Sequence, residues 1–193
     1  MSAHGGTEAA VLIPLYGWPD NPGLVFTERR SDLRSHAGEI SFPGGRRDPG
    51  EELLETALRE AEEEIGLEPD AVRIAGALPP VGTFVTSYKV HPFVGEIEPG
   101  LRPRPNPSEV ESVLLTSLDD LIAGYGKRRL IRRGVPIKTD SYRVGEKVIW
   151  GATARILGEL LERLRTDEFP PRRQSKWLTR NESRAGHEAK ETR

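Results

Sequence analysis

Between residues 51 and 65 the apolar side chains Leu53, Leu54, Ala57, Leu58, Ala61 and Ile65 recur every three or four positions. That spacing lines one face of an α-helix, and Gly66 marks its end. A second amphipathic helix is predicted over residues 152–164, ATARILGELLERL. Elsewhere the pattern is that of strands. Residues 9–15 form a continuous apolar run, the Gly/Pro/Asp-rich stretch 17–23 makes a turn, and residues 24–29 alternate, which together predict an opening hairpin. Further strands are predicted at 72–78, 90–97, 112–115, 130–137 and 142–149, with a helical turn near 118–122. Residues 30–48 are polar and rich in Gly and Pro apart from 40–42, and read as a loop that presents groups to solvent. Hairpins mixed with helices, without regular βαβ alternation, predict an α+β fold.

Composition adds boundaries to this picture. With 193 residues and 36% hydrophobic content, one domain is expected, spanning residues 1–169. Residues 171–193 hold seven Lys/Arg and three Glu among few apolar groups, so a basic, mobile tail is expected over 170–193. There is no cysteine, which excludes thiol catalysis, thiolate metal sites and disulfides. The first ten residues lack the pattern of a secretory signal, and no apolar run is long enough to span a bilayer. A cytoplasmic protein with no membrane partner is the expectation. The net charge of −2 gives no global attraction to nucleic acid, so an anionic ligand needs local positive charge or a bound cation.

The chemistry is concentrated on the first helix. On a wheel of roughly 100° per residue, Glu60 and Glu64 fall about 40° apart on one edge of the apolar face, with Glu63 just beyond. Glu55 and Glu62 occupy the opposite edge. Like charges at this spacing cost only about 0.2–0.5 kcal/mol per pair on an exposed helix, so energetics alone does not separate a solvated acidic face from a site. The preceding Phe42-Pro43-Gly44-Gly45 separates the two readings. A Gly-Gly bend allows close backbone approach, and carboxylate oxygens suit a hard cation such as Mg²⁺.

The segment GGRRDPGEELLETALREAEEEIGL resembles the Nudix box, with matching residues Gly45, Glu51, Arg59, Glu60, Ala61, Glu63, Glu64, Gly66 and Leu67 at every fixed spacing. The one departure is Ala61, where a larger aliphatic residue is usual. The resemblance implies a mixed β-sheet sandwiched between α-helices, an α/β/α sandwich. It also implies hydrolysis of a pyrophosphate bond assisted by Mg²⁺ or Mn²⁺. By the same resemblance Glu60 and Glu64 are metal ligands, Glu63 is a ligand or the general base, and Arg59 holds Glu51 and the loop. An additional carboxylate from a later loop is expected, with Glu109 and Glu111 as candidates and Glu96 and Glu98 as rivals.

Residues 24–45 resemble the coenzyme A branch of the family, through Arg30, Ser31, Leu33, Arg34, His36, Gly38, Phe42, Pro43, Gly44 and Gly45. Residues 147–157, KVIWGATARIL, resemble the C-terminal region of that branch. The resemblance implies coenzyme A, or an acyl or oxidised derivative, as the small-molecule substrate. Arg30, Arg34 and His36, with Gly44 and Gly45, would bind it, and Arg29 adds to the local positive charge. The 3′-phosphate of coenzyme A gives such a cationic cluster a purpose, since Arg forms bidentate phosphate contacts. ADP-ribose, dinucleotides and nucleoside triphosphates are the competing substrates, and a catalytically silent binding module is the competing class. The basic tail carries one aromatic residue, Trp177, too little to indicate an RNA-binding arm. A homodimer is the common assembly of the family. Lys127, Arg128, Arg129, Arg132 and Arg133 form a second basic cluster, read as protection of a strand edge.

Overall fold

The structure, a computed structural model, describes residues 7–32, 38–83, 87–98, 100–132 and 135–166, excluding the side chains of 130–137. Arg34, His36 and the 170–193 tail, for which the sequence gives expectations, lie outside the described residues. The opening hairpin consists of β1 (Thr7–Tyr16) and β2 (Gly23–Arg29), paired antiparallel at Leu15–Leu24. Next come β3 (Ile40–Ser41), β4 (Gly44–Arg46), α1 (Leu53–Ile65), β5 (Val72–Ala77), β6 (Val81–Gly82), β7 (Tyr88–Ile97) and β8 (Val110–Ser117). After α2 (Leu118–Ala123), strands β9 (Tyr125–Arg132), β10 (Val135–Val144) and β11 (Lys147–Trp150) lead into α3 (Gly151–Arg165).

Eight strands form one mixed sheet with central order β3-β2-β1-β7-β5, in which β4 also pairs with β1, β6 with β7, and β8 with β2. The parallel pair β1–β7 runs in register from Thr7–Tyr88 to Leu15–Glu96. Alternation along the strands divides the core between the two faces of this sheet. Ala10, Leu12 and Val25 pack beneath Ala57, Ala61 and Ile65 of α1. On the other face Ile13, Leu24 and Phe26 join Leu121 of α2, Ile149 of β11 and Leu157 and Leu160 of α3. Each large apolar side chain fully buried in this way contributes roughly 1.5–3 kcal/mol. The outcome is a mixed sheet between helical layers, with strands β9, β10 and β11 forming a separate antiparallel sheet on the α3 side.

Three sequence expectations are corrected. The 30–48 stretch includes strands β3 and β4 and contributes to the core. Ile40 and Phe42 are buried, and the Phe42 ring stacks on Phe26 with centroids 4.7 Å apart. A short apolar segment with glycines looks like a loop because its strand ladder lies along distant β1 and β2. The proposed strands at 130–137 and 142–149 are out of phase with the real ones. The first spans the end of β9 and the start of β10, the second the end of β10 and the start of β11. The second junction is the two-residue Gly145–Glu146 turn, where Gly145 takes φ +59°. Finally, α1 starts two residues later than predicted, with Glu52 as N-cap and the Glu55 carboxylate accepting the Glu52 N–H at 3.0 Å. Gly66 ends it in the left-handed conformation, φ +64°.

Candidate active site

Burying Ala57, Ala61 and Ile65 against β1 fixes the rotation of α1, and that rotation turns Glu60 and Glu64 toward the β4 glycines. Gly44 and Gly45 bring the backbone unusually close. A Cβ on Gly45 would lie 2.3 Å from Glu60 Oε1, and one on Gly44 would lie 2.3 Å from the Ala10 carbonyl oxygen. Glu64 is only 8% exposed, and the Gly44 N–H donates to its Oε2 at 3.4 Å. Burial pushes the Glu64 carboxyl up to about 8, reinforced by the negative charges of Glu60 and Glu109 and opposed by Gly44 and Arg29. Burial also raises Glu60, against the pull of Arg59. Glu63 projects outward and is mostly solvated.

Arg59 organises the acidic edge. Its Nε and Nη2 donate to the two oxygens of Glu51 at 2.8 and 3.2 Å, and its Nη1 donates to Glu60 at 3.0 Å and Glu63 at 3.1 Å. Glu51 also accepts from the Thr56 hydroxyl at 2.7 Å and from the Asp48 N–H at 3.2 Å, which ties the loop to the helix. The Arg59 guanidinium holds Glu51 down at about 2. Thr56 was not anticipated. Its full burial is seen only in the structure, and the sequence offered no separate signal for it.

Segment 104–109 closes the far end of α1. Arg104 N–H donates to the Ile65 carbonyl at 2.8 Å, Asn106 N–H to that of Glu64 at 2.8 Å, and Asn106 Nδ2 to that of Glu63 at 3.1 Å. These bonds satisfy carbonyls that a helix C-terminus leaves open, and they bring Glu109 beside the site. Of the four loop carboxylates considered, Glu109 is the one whose charge acts on both Glu60 and Glu64. Glu111 acts instead on Arg30. Glu96 is ion-paired with Arg73 of β5 near the far end of β1, in register with Leu15, and Glu98 follows β7 at that same end.

Arg30 makes a two-point ion pair with Asp32, at 2.6 and 2.9 Å, and also donates to the Pro107 carbonyl. Lys127, Arg128 and Arg129 lie on β9, which forms the end of the three-stranded sheet.

Among the described residues, no three His, Asp or Glu side chains stand ready-made around a metal position. Arg59 engages both Glu60 and Glu63. The residues nevertheless fit a hard cation. The donors are all oxygen, Glu64 is buried with a weak partner and raised by neighbouring negative charge, and glycine keeps the approach open.

The mixed sheet thus brings a glycine bend, an acidic helix edge and an Arg59–Glu51 brace together in one place. The chain matches the NUDIX domain over residues 7–134, and it belongs to the NUDIX hydrolase family, whose members act on diphosphate bonds and generally use divalent metal ions. It is 42% identical over 161 residues to the uncharacterized Nudix hydrolase NudL of Escherichia coli O157:H7, covering 79% of this chain and 80% of that one. The fold also matches a MutT/nudix family protein from Enterococcus faecalis, with TM-score 0.59 at 12% identity over 85% of this chain and 64% of the other. The NUDIX domain of Shewanella oneidensis NrtR, solved with ADP ribose, has TM-score 0.57 at 12% identity over 83% of this chain and 89% of that domain. No described helix is long and apolar enough to cross a membrane.

Proposed function

We propose that this enzyme hydrolyses the pyrophosphate bond of coenzyme A, or of an acyl or oxidised derivative, to 3′,5′-ADP and 4′-phosphopantetheine, with Mg²⁺ or Mn²⁺. The observation that carries this reading is where residues 30–45 are anchored. The Gly38 N–H donates to the Arg29 carbonyl at 3.0 Å, and the Arg30 N–H to that of Glu109 at 3.1 Å. The segment with the coenzyme A pattern thus leaves and re-enters the fold beside Glu109 and Glu64.

Glu60 and Glu64 would hold the divalent ion. When bound, the ion supplies positive charge to the pyrophosphate and acidifies water. Glu63, released from Arg59, adds a further oxygen or accepts the proton of the attacking water, a role that contributes roughly 10²–10⁴-fold. Glu109 serves as the additional carboxylate. Arg59 keeps Glu51 and the loop in place, while Gly44 and Gly45 leave room for phosphate. Arg30, Arg34 and His36 bind the substrate's remaining anionic group.

The test is product analysis after incubating the purified chain with coenzyme A and Mg²⁺ or Mn²⁺. Appearance of 3′,5′-ADP with 4′-phosphopantetheine is expected. An intact coenzyme A pool, alongside turnover of ADP-ribose or a dinucleotide, would overturn the substrate assignment and leave the diphosphate chemistry standing.

A further inference from the structure

One link between the two sheets is ionic. Lys147, the first residue of β11, pairs with Glu28 near the end of β2, and the other oxygen of Glu28 accepts from the Ser112 hydroxyl of β8 at 2.6 Å. Glu28 is partly buried, with 16% of its side chain exposed, and its two partners hold its carboxyl below the usual range. A carboxylate held from two strands at once has little freedom to move.

This knot sits at a particular point in the sheet. Up to Glu28–Ser112 the β2–β8 ladder is regular. The register then shifts, so that Arg29 stands opposite Val110. Bulges of this kind redirect side chains and are common beside active sites. The two groups delivered just past the shift are Arg29 and Glu109, and their charges act on Glu64 from opposite signs. Backbone bonds continue the arrangement, since Arg30 N–H reaches the Glu109 carbonyl.

We infer that Lys147 is a positioning residue for diphosphate hydrolysis: through Glu28 and Ser112 it locks the β2–β8 register shift that sets Arg29 and Glu109 beside the α1 carboxylates. The three-stranded sheet then has a role in the reaction without any of its described side chains standing in the site. The inference rests on the reading of Glu60 and Glu64 as the reacting site.

The test compares Lys147→Met, Lys147→Arg and the charge-neutral pair Glu28→Gln/Lys147→Met. The neutral pair removes the knot without leaving a partly buried charge unpaired. Three quantities are read: kcat and KM for coenzyme A (for ADP-ribose if coenzyme A is not cleaved), and the affinity of the substrate-free protein for Mn²⁺. Small displacements of catalytic groups by distant changes cost up to ~100-fold. Lys147→Met and the neutral pair should therefore lose ~10-fold or more in kcat, with KM changed less. Both should also bind Mn²⁺ more weakly, and Lys147→Arg should recover most of both losses. If Lys147→Met fails to fold, the neutral pair decides. A folded neutral pair with wild-type kcat and Mn²⁺ affinity overturns the inference. Glu64→Gln is run alongside: if it stays active, the reading of the site itself has failed; if it is inactive while the neutral pair behaves as wild type, only the role of Lys147 has.

Discussion

At the scale of single residues, Glu64 bears most of the site's electrostatic cost. Its folded pKa of about 8 lies well above the ordinary carboxylate value, so the metal-free folded state retains a proton that the unfolded chain releases. The sign follows from linkage. Glu64 contributes stability that is fully present below about pH 4.5 and is lost as pH rises through about 8. Glu64→Gln imitates the protonated form. It should flatten this part of the metal-free stability curve measured by thermal unfolding, and it should reduce turnover by at least ~100-fold. A Glu64→Gln enzyme with near wild-type turnover would remove Glu64 from the reaction. Glu51 has the opposite behaviour, since Arg59 holds it at about 2, and its contribution is full above about pH 4.5 and is lost as pH falls through about 2. The loop before α1 thus carries a carboxylate prepared for a permanent Arg partner and α1 itself one lacking adequate compensation, and burial beside Glu60 and Glu109 makes the difference.

At the scale of elements, the important contact is between α1 and β4. The two glycines of β4 are adjacent in sequence and differ in what they protect. A methyl at Gly44 would strike the Ala10 carbonyl oxygen and Val11 Cα, backbone atoms that cannot move aside locally. Gly44→Ala should therefore destabilise the fold, by ~1–3 kcal/mol as overpacking does. A methyl at Gly45 would strike the Glu60 carboxylate, the end of a side chain that can rotate away. Gly45→Ala should fold nearly as well as wild type and yet lose ~10-fold or more in activity, because Glu60 must leave its place. Chemical denaturation and kinetics on both variants check this. Reversed outcomes would mean that Glu60 is not held in its working position.

For the molecule as a whole, sandwiching the sheet between α1 on one side and α2, α3 and the small sheet on the other buries the root of the acidic edge while leaving its outer rim open. Divalent ions should then act as stabilisers whose effect depends on pH. A ligand bound only by the folded state raises stability as RT ln(1 + [L]/Kd), and here the ion competes with the proton on Glu64. The increase in Tm caused by Mg²⁺ should grow between pH 5 and pH 8, and it should be largely absent in Glu64→Gln. A pH-independent increase would place the ion elsewhere.

What could be read from the sequence was whatever depends on local spacing. The 3.6-residue period placed Glu60, Glu63 and Glu64 on one edge of α1, Gly66 ended that helix, and the invariant distances from Gly45 to Leu67 carried the resemblance to the Nudix box. The opening hairpin and α3 were legible for the same reason, because the apolar pattern of each lies within one stretch of chain. Pairings between distant segments were not legible. Ile40 and the β4 glycines are strand residues only because β1 and β2 run beside them, and the bounds of β9, β10 and β11 are set by which residues pair across the small sheet. The influence of Glu109 on Glu60 and Glu64, and the link from Lys147 to Glu28 across 119 positions, belong to the tertiary structure alone. Electrostatic influence and hydrogen bonding depend on distance in space, and periodicity along the chain sets that distance only within a single element.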